Sequence, residues 1–237
     1  MLQLPGLDVP GRCSQPGKVE MSHFLSFEGL DGCGKTTQIK LLENFLTSRG
    51  IPVVTTREPG GTEVSESIRQ VLLASKNTSL LPQAELLLYY ASRHQNLFQK
   101  ILPSLEQGAW VLCDRYADAS MAYQGYGRGL DLKLISYLDQ TVIQRRMPDL
   151  TFLIDIAPAE SLRRALLRNQ DSRVDEGRFE KESLPFFEKV RRGYLEIARQ
   201  EPERFRILDG SLDIEAIHRA ILRSLEPLLP GNGSRSH

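Results

Sequence analysis

The sequence contains no uninterrupted apolar run approaching membrane-spanning length, which excludes a bilayer-crossing helix and leads us to expect a soluble protein with no membrane partner. Net charge is also absent, since 30 basic residues balance 30 acidic ones. That balance gives no electrostatic reason to expect nucleic acid as a partner, so an anionic ligand must be held by a local cluster of cations. Cysteine is scarce. Cys13, Cys33 and Cys113 are odd in number and form no C-x-x-C pair, which argues against a disulfide framework and fits a reducing, cytoplasmic setting. We find no internal repeat and no linker, and at 237 residues the chain is long enough to bury a sizeable core.

The first twenty residues hold three prolines and three glycines with little periodic pattern, and lack the apolar segment or Arg-rich amphipathic pattern of a targeting peptide. We expect a disordered extension over 1–20, a folded domain over 21–228 and a loose tail over 229–237.

What the chain does contain begins at Phe24. Phe24 to Phe27 reads as a buried strand, followed by a glycine-rich turn and a helix start. Gly29, Gly34, Lys35 and Thr36 fit the G-x-x-x-x-G-K-[ST] phosphate-binding pattern in the strand-turn-helix context it requires. Glycines let consecutive N–H groups converge on one point, and the helix adds free amides and its positive dipole end. Lys35 would neutralise the terminal phosphates of a nucleoside triphosphate, and Thr36 would ligate the accompanying magnesium.

Helical spacing of Ile39, Leu42, Phe45 and Leu46 closes at Gly50. Ile51–Thr55, Ala109–Cys113, Thr151–Ile156 and Phe205–Leu208 read as further strands, with helices from Thr62 to about Ala74 and from Pro82 to Gln107. Strands alternating with helices predict an α/β fold: a five-stranded parallel sheet flanked by helices in three layers. Ligands of such sheets sit beyond the carboxyl ends of the strands. There the chain offers the P-loop, then Thr56-Arg57-Glu58-Pro59-Gly60-Gly61-Thr62, then Asp114-Arg115-Tyr116. Arginine forks suit paired phosphate oxygens. By themselves Arg57 and Glu58 also fit a surface ion pair beside a Pro-Gly turn. Asp114 fits a strand-end carboxylate that touches magnesium through water.

Glu28 to Thr37, Thr56-Arg-Glu-Pro-Gly-Gly-Thr62, Asp114-Arg-Tyr116 and Ala122-Tyr-Gln-Gly125 together resemble thymidylate kinase over about residues 22 to 226. The Arg-Glu-Pro-Gly-Gly-Thr segment is far more specific than the P-loop. The resemblance implies a P-loop kinase that phosphorylates dTMP with ATP and Mg2+, and implies a homodimer. Gly29, Leu30, Asp31, Gly32, Cys33, Gly34, Lys35, Thr36 and Thr37 would then bind ATP. Arg57 and Arg115 would hold the acceptor phosphate, and Asp31 would position the sugar or the metal.

On the helix from Pro82, Leu87, Tyr90, His94, Leu97, Phe98, Ile101 and Leu105 trace an apolar stripe, with Tyr89, Arg93, Asn96 and Lys100 on another face. Periodicity alone favours a half-exposed tyrosine, a solvated arginine and, at His94, a core histidine. The resemblance instead makes Tyr89 the residue that stacks on the base and Arg93 the one that reads it. It adds Ser120, Tyr123 and Gln124 as contacts to thymine and sugar. Gly125, Gly127 and Gly129 read as a flexible connection.

From Ser161 to Phe179 the chain is strongly basic, with Arg163, Arg164, Arg168, Arg173 and Arg178. A charge run is usually a solvated face. Phosphoryl transfer between polyanions, however, depends on cations at the transferring group, and Lys35 is the only cation in the P-loop. Gly32 stands where one family variant carries an arginine, so the sequence resembles the mainly bacterial variant whose mobile lid, here about 163–178, supplies the charge. Arg168 and Arg173 are the expected catalytic lid cations, with Arg163 and Arg164 flanking the adenine. Arg178-Phe-Glu180 resembles the family's Asp-Arg-Phe-Glu motif with Gly177 in place of the acid. Glu180 would support the metal, as would Asp114, directly or through water; a helix N-terminal carboxylate is the plain alternative.

The rival readings are a deoxynucleoside kinase or another nucleoside monophosphate kinase, separable by an acceptor panel. A GTP-binding switch would need an Asn-Lys-x-Asp motif that the sequence lacks.

Overall fold

The computed structural model describes residues 22–77, 79–169, 178–179 and 182–229, with the side chains of 168 and 169 excepted. The expected 1–20 extension, most of the 229–237 tail and the central part of the lid lie outside them.

Five parallel strands run β1 (Phe24–Glu28), β2 (Val53–Arg57), β3 (Trp110–Asp114), β4 (Leu150–Asp155) and β5 (Phe205–Asp209), in the order β2-β3-β1-β4-β5. Helices α1 (Lys35–Ser48) and α9 (Ile214–Leu225) cover one face of the sheet, and α8 (Leu184–Gln200) lies against the other. Strand alternation explains the layers. Leu25, Phe27, Leu112, Phe152 and Ile154 pack with Leu42, Leu46 and Ile221 on one side, whereas Leu153 and Phe205 meet Phe187, Val190 and Tyr194 on the other. All five expected strands form. The second begins two residues later than expected because its register pairs Val53 with Trp110 and Arg57 with Asp114; Ile51 instead closes α1 through its amide to Leu46.

Helix α2 (Glu63–Leu73) starts where expected, with the Thr62 side chain accepting from the Ser65 amide at 3.3 Å. The long helix comprises α3 (Pro82–Asn96), one π-helical turn (Leu97–Ile101) and α4 (Leu102–Glu106). Pro103 has no amide to donate and its ring crowds the preceding turn, which accounts for the widening. The expected apolar stripe on this helix is corrected: Leu86, Tyr90, Arg93, Leu97 and Ile101 are buried, while Leu87, His94 and Phe98 are exposed. His94 is therefore not a core histidine. Its Nδ1 lies 2.9 Å from the Val142 carbonyl at the surface.

A short helix α5 (Ala117–Ser120) runs into a second π-helical stretch (Met121–Gly127), followed by α6 (Leu132–Thr141) and α7 (Pro158–Asn169). Gly125 and Gly127 are not part of a flexible connection. A Cβ on Gly125 would lie 2.6 Å from Leu132, and one on Gly127 would lie 2.7 Å from the Phe186 ring, so their lack of a side chain lets α6 and α8 close on this segment.

Candidate active site

The carboxyl ends of β1, β2 and β3 open into one cleft of about 820 Å³. At its first end the P-loop leaves β1. Gly29 has φ +132°, and a Cβ there would lie 2.4 Å from the Ile154 carbonyl, so only glycine lets the loop turn this close to β4. Gly34 precedes α1 at φ 104°. The Lys35 ammonium is buried and curls over the loop, donating to the Gly29 and Leu30 carbonyls at 3.3 and 3.1 Å. The Leu30 and Cys33 side chains face the core rather than the cleft, and burial raises the Cys33 thiol pKa. Thr37 occupies the third position of α1. The Thr36 hydroxyl donates to Asp114 Oδ2 at 3.1 Å, which places two hard oxygen donors side by side at the mouth of the loop.

Gly32 explains where additional charge can enter. It has φ +78°, and a Cβ would lie 2.9 Å from Arg164 Cβ and from the Ser161 carbonyl. Helix α7 thus presses on the loop, Ser161 donates to the Asp31 carbonyl, and no long side chain fits at position 32.

The middle of the cleft carries the two arginines. Arg115 sits at φ 67° directly after β3, its amide donating to the Phe27 carbonyl, and this turn throws the guanidinium across the sheet end. It donates to Asp31 at 2.8 Å, to the Tyr194 hydroxyl at 3.0 Å and to the Tyr123 hydroxyl at 3.1 Å. Burial works against its charge, but Tyr123, Asp31, Tyr194 and Glu28 outweigh that and hold its pKa well above the ordinary arginine value. Arg57 is half exposed and pairs with Glu66 at 3.0 Å; it lines the same cleft, so the surface pair and a ligand-facing position coexist. Glu58, its neighbour, has no share in that pair. It is buried, accepting from Arg93 Nε at 2.6 Å and Asn96 Nδ2 at 3.2 Å. Burial raises its pKa, and Arg93 opposes the rise.

The far end is formed by α3 and the π-helical stretch. Arg93 is 1% exposed; beyond Glu58 it donates to the Tyr116 carbonyl at 3.0 Å and lies over the Tyr90 ring. Two buried polar atoms here have no hydrogen-bond partner among the described residues: Arg93 Nη1 and Ser120 Oγ. Both residues line the cleft, as do Tyr89, Tyr123 and Gln124. Buried donors left unpaired are costly, so two at one end of a cleft point to a ligand that satisfies them.

A model of the thymidylate kinase family matches residues 27–221 of the chain. The chain belongs to the thymidylate kinase family. It is 51% identical over 215 residues to the thymidylate kinase of Syntrophotalea carbinolica, covering 89% of this chain and 99% of that relative. It is 47% identical over 214 residues to that of Geotalea daltonii, covering 90% and 100%. The crystal structure of thymidylate kinase from Ehrlichia chaffeensis superposes with a TM-score of 0.69 at 37% identity, over 86% of this chain and 98% of that one.

Within this member of the thymidylate kinase family, the cleft thus brings together Asp31, Lys35, Thr36, Arg57, Tyr89, Arg93, Asp114, Arg115, Ser120, Tyr123 and Gln124 from segments distant in sequence. The basic run does not behave as one unit. Arg163 and Arg164 both pair with Glu160, at 2.8 and 2.6 Å. Arg178 is buried against the body of the fold, donating to the Leu72 carbonyl and pairing with Glu85 at 2.7 Å. The Arg168 side chain, Arg173 and Glu180 lie outside the described residues. The sequence assigns no role to Glu28 or to Tyr194. The only signal was a charged residue ending an apolar strand and a hydroxyl among phenylalanines.

Proposed function

We propose that this chain transfers the γ-phosphoryl group of ATP to the 5′-phosphate of dTMP, giving dTDP and ADP. The observation that carries the reading is the pair of unpartnered buried donors, Arg93 Nη1 and Ser120 Oγ, on residues that line the same cleft as the P-loop lysine. A thymine presents carbonyl oxygens that accept from such donors, and Tyr89 supplies a flat face beside them.

Lys35 and the P-loop amides hold the ATP phosphates; Lys35 gives up its loop carbonyls for them. Arg115 and Arg57 hold the acceptor phosphate, and Asp31, already on Arg115, positions the sugar or the metal. A phosphate acceptor is an anion near neutral pH, so no strong general base is needed, and positioning and charge neutralisation carry the rate. Thr36 and Asp114 fit Mg2+, a hard ion that takes few protein oxygens and completes its shell with phosphate and water. Bound there, it would neutralise charge on the β- and γ-phosphates. Arg168 and Arg173 supply the lid cations, with Glu180 supporting the metal. Leu87 on α3 and Val64 and Val71 on α2, which packs against it, are exposed apolar residues available to a homodimer interface, as is Phe98 in the π-helical turn. Among the described residues no helix is long and apolar enough to cross a membrane, and we assign the cytoplasm from the sparse, unpaired cysteines.

The decisive experiment is ADP release with and without dTMP. Strong dTMP-dependent release, abolished in Lys35→Ala and by chelating Mg2+, is expected; release indifferent to every monophosphate offered would overturn the reading.

A further inference from the structure

Glu85 lies on α3 one turn before Tyr89, is 1% exposed, and among the described residues has no hydrogen bond or ion pair to the P-loop, Arg57 or Arg115. Its Oε1 accepts from Gln124 Nε2 at 2.8 Å and Arg128 Nε at 3.4 Å, and its Oε2 accepts from Arg128 Nη2 at 3.3 Å and Arg178 Nη1 at 2.7 Å. A carboxylate set between two guanidinium groups has only acceptors to offer. Gln124 is therefore obliged to turn its NH2 toward Glu85 and its carbonyl oxygen the other way. The side chain is itself buried, and it lines the cleft beside Ser120 and Tyr123. Which end of an amide faces a ligand decides whether it reads a donor or an acceptor.

We propose that Glu85 is a specificity-determining positioning residue: by accepting from Gln124 Nε2 it presents Gln124 Oε1 to the base and so selects a base with an N3–H over one whose N3 is a lone pair. Thymine has the N3–H and cytosine has the lone pair. The assignment rests on the reading of Gln124 as a base contact given above. A cytosine base facing the fixed amide would leave two acceptors opposed in a site where neither reaches water, the arrangement that gives the strongest discrimination available to hydrogen bonding. Arg178 approaches Glu85 Oε2, the oxygen that Gln124 does not use. It anchors the end of the basic segment on the same carboxylate, so that segment and the base-reading amide share one charge.

The test replaces Glu85 by glutamine, whose amide accepts or donates and so tolerates either orientation of Gln124. Arg128 keeps Glu182 at 2.5 Å and Arg178 keeps the Leu72 carbonyl, which favours folding of the variant. The readout is the ratio of kcat/KM for dTMP to that for 5-methyl-dCMP, which keeps the methyl group and changes the hydrogen-bonding edge. In Glu85→Gln that ratio is expected to fall by about tenfold or more, chiefly through a higher KM for dTMP and a lower one for 5-methyl-dCMP. If Glu85→Gln does not fold, Glu85→Asp keeps the charge, withdraws the carboxylate from Gln124, and should move the ratio the same way. A merely structural role would lower both values by the same factor and leave the ratio unchanged, which overturns the proposal. Gln124→Ala distinguishes loss of the base contact from loss of its positioning by Glu85. Unchanged KM for dTMP in that variant refutes Gln124 as a base contact, whereas a raised KM there with an unmoved ratio in the Glu85 variants refutes only the role of Glu85.

Discussion

The Tyr194 hydroxyl donates to Glu28 Oε2 at 2.7 Å, joining helix α8 to the last residue of β1. The same hydroxyl accepts from Arg115 Nη1 at 3.0 Å, and the other Glu28 oxygen accepts the Tyr116 amide at 2.7 Å. Glu28 therefore holds both the arginine that would meet the acceptor phosphate and the turn that carries it. Removing the hydroxyl in Tyr194→Phe should leave Glu28 short of a donor and Arg115 held by Asp31 and the Tyr123 hydroxyl without its third partner. We expect kcat/KM for dTMP to fall about tenfold with the KM for ATP nearly constant, measured by ADP release.

Burial raises the Glu28 carboxyl to about 7 from 4.5, with Asp118 adding to the rise and Arg115, Tyr194 and the Tyr116 amide opposing it. Between those two values the folded protein keeps a proton that the unfolded chain has lost, so this group's contribution to stability is fully present below 4.5 and is lost as pH rises through 7. The slope for one proton is at most about 1.4 kcal/mol per pH unit. Urea unfolding at pH 5 and pH 7.5 should show wild type losing stability relative to Glu28→Gln across that interval. A constant difference between the two proteins would show that Glu28 does not titrate there.

Arg93→Ala should weaken dTMP binding far more than ATP binding in separate calorimetric titrations, because Arg93 lines the part of the cleft formed by α3 and its Nη1 is left without a partner among the described residues. The variant also leaves Glu58 buried with only Asn96 for a partner, a change expected to cost about 3–5 kcal/mol in stability. Equal losses for the two nucleotides would count against Arg93 as the base reader.

Gly127→Ala places a methyl group 2.7 Å from Phe186 and 2.9 Å from Val190, both on α8. Overpacking of this kind costs about 1–3 kcal/mol, so thermal unfolding should move down by several degrees. An unchanged midpoint would mean that α8 shifts freely over the π-helical stretch.

The five strands, the P-loop and the arginine-bearing turns were legible because each is local: an apolar run, a glycine pattern, a residue following a strand. The stripe on α3 was misjudged for a physical reason. Periodicity ranks faces by apolarity, but Arg93 and Asn96 are buried through partners, the Thr56 hydroxyl and Glu58, that come from β2 and the turn after it. Leu87 and Phe98 are exposed although apolar. Glycine produced a similar error at Gly125 and Gly127, where composition suggests looseness and close packing of α6 and α8 is what the missing side chains allow.

By itself, the sequence determined the chemistry on offer: a phosphate loop without an arginine, strand-end arginines, and an aromatic one helical turn before Arg93. These are properties of residue type and short spacing. Only the tertiary structure decided how the charges are shared. It gave Arg178 to Glu85 rather than to a phosphate, closed position 32 against α7, and placed Glu28 and Tyr194 behind Arg115. Burial and pairing depend on neighbours brought together by the fold, and no local pattern encodes them.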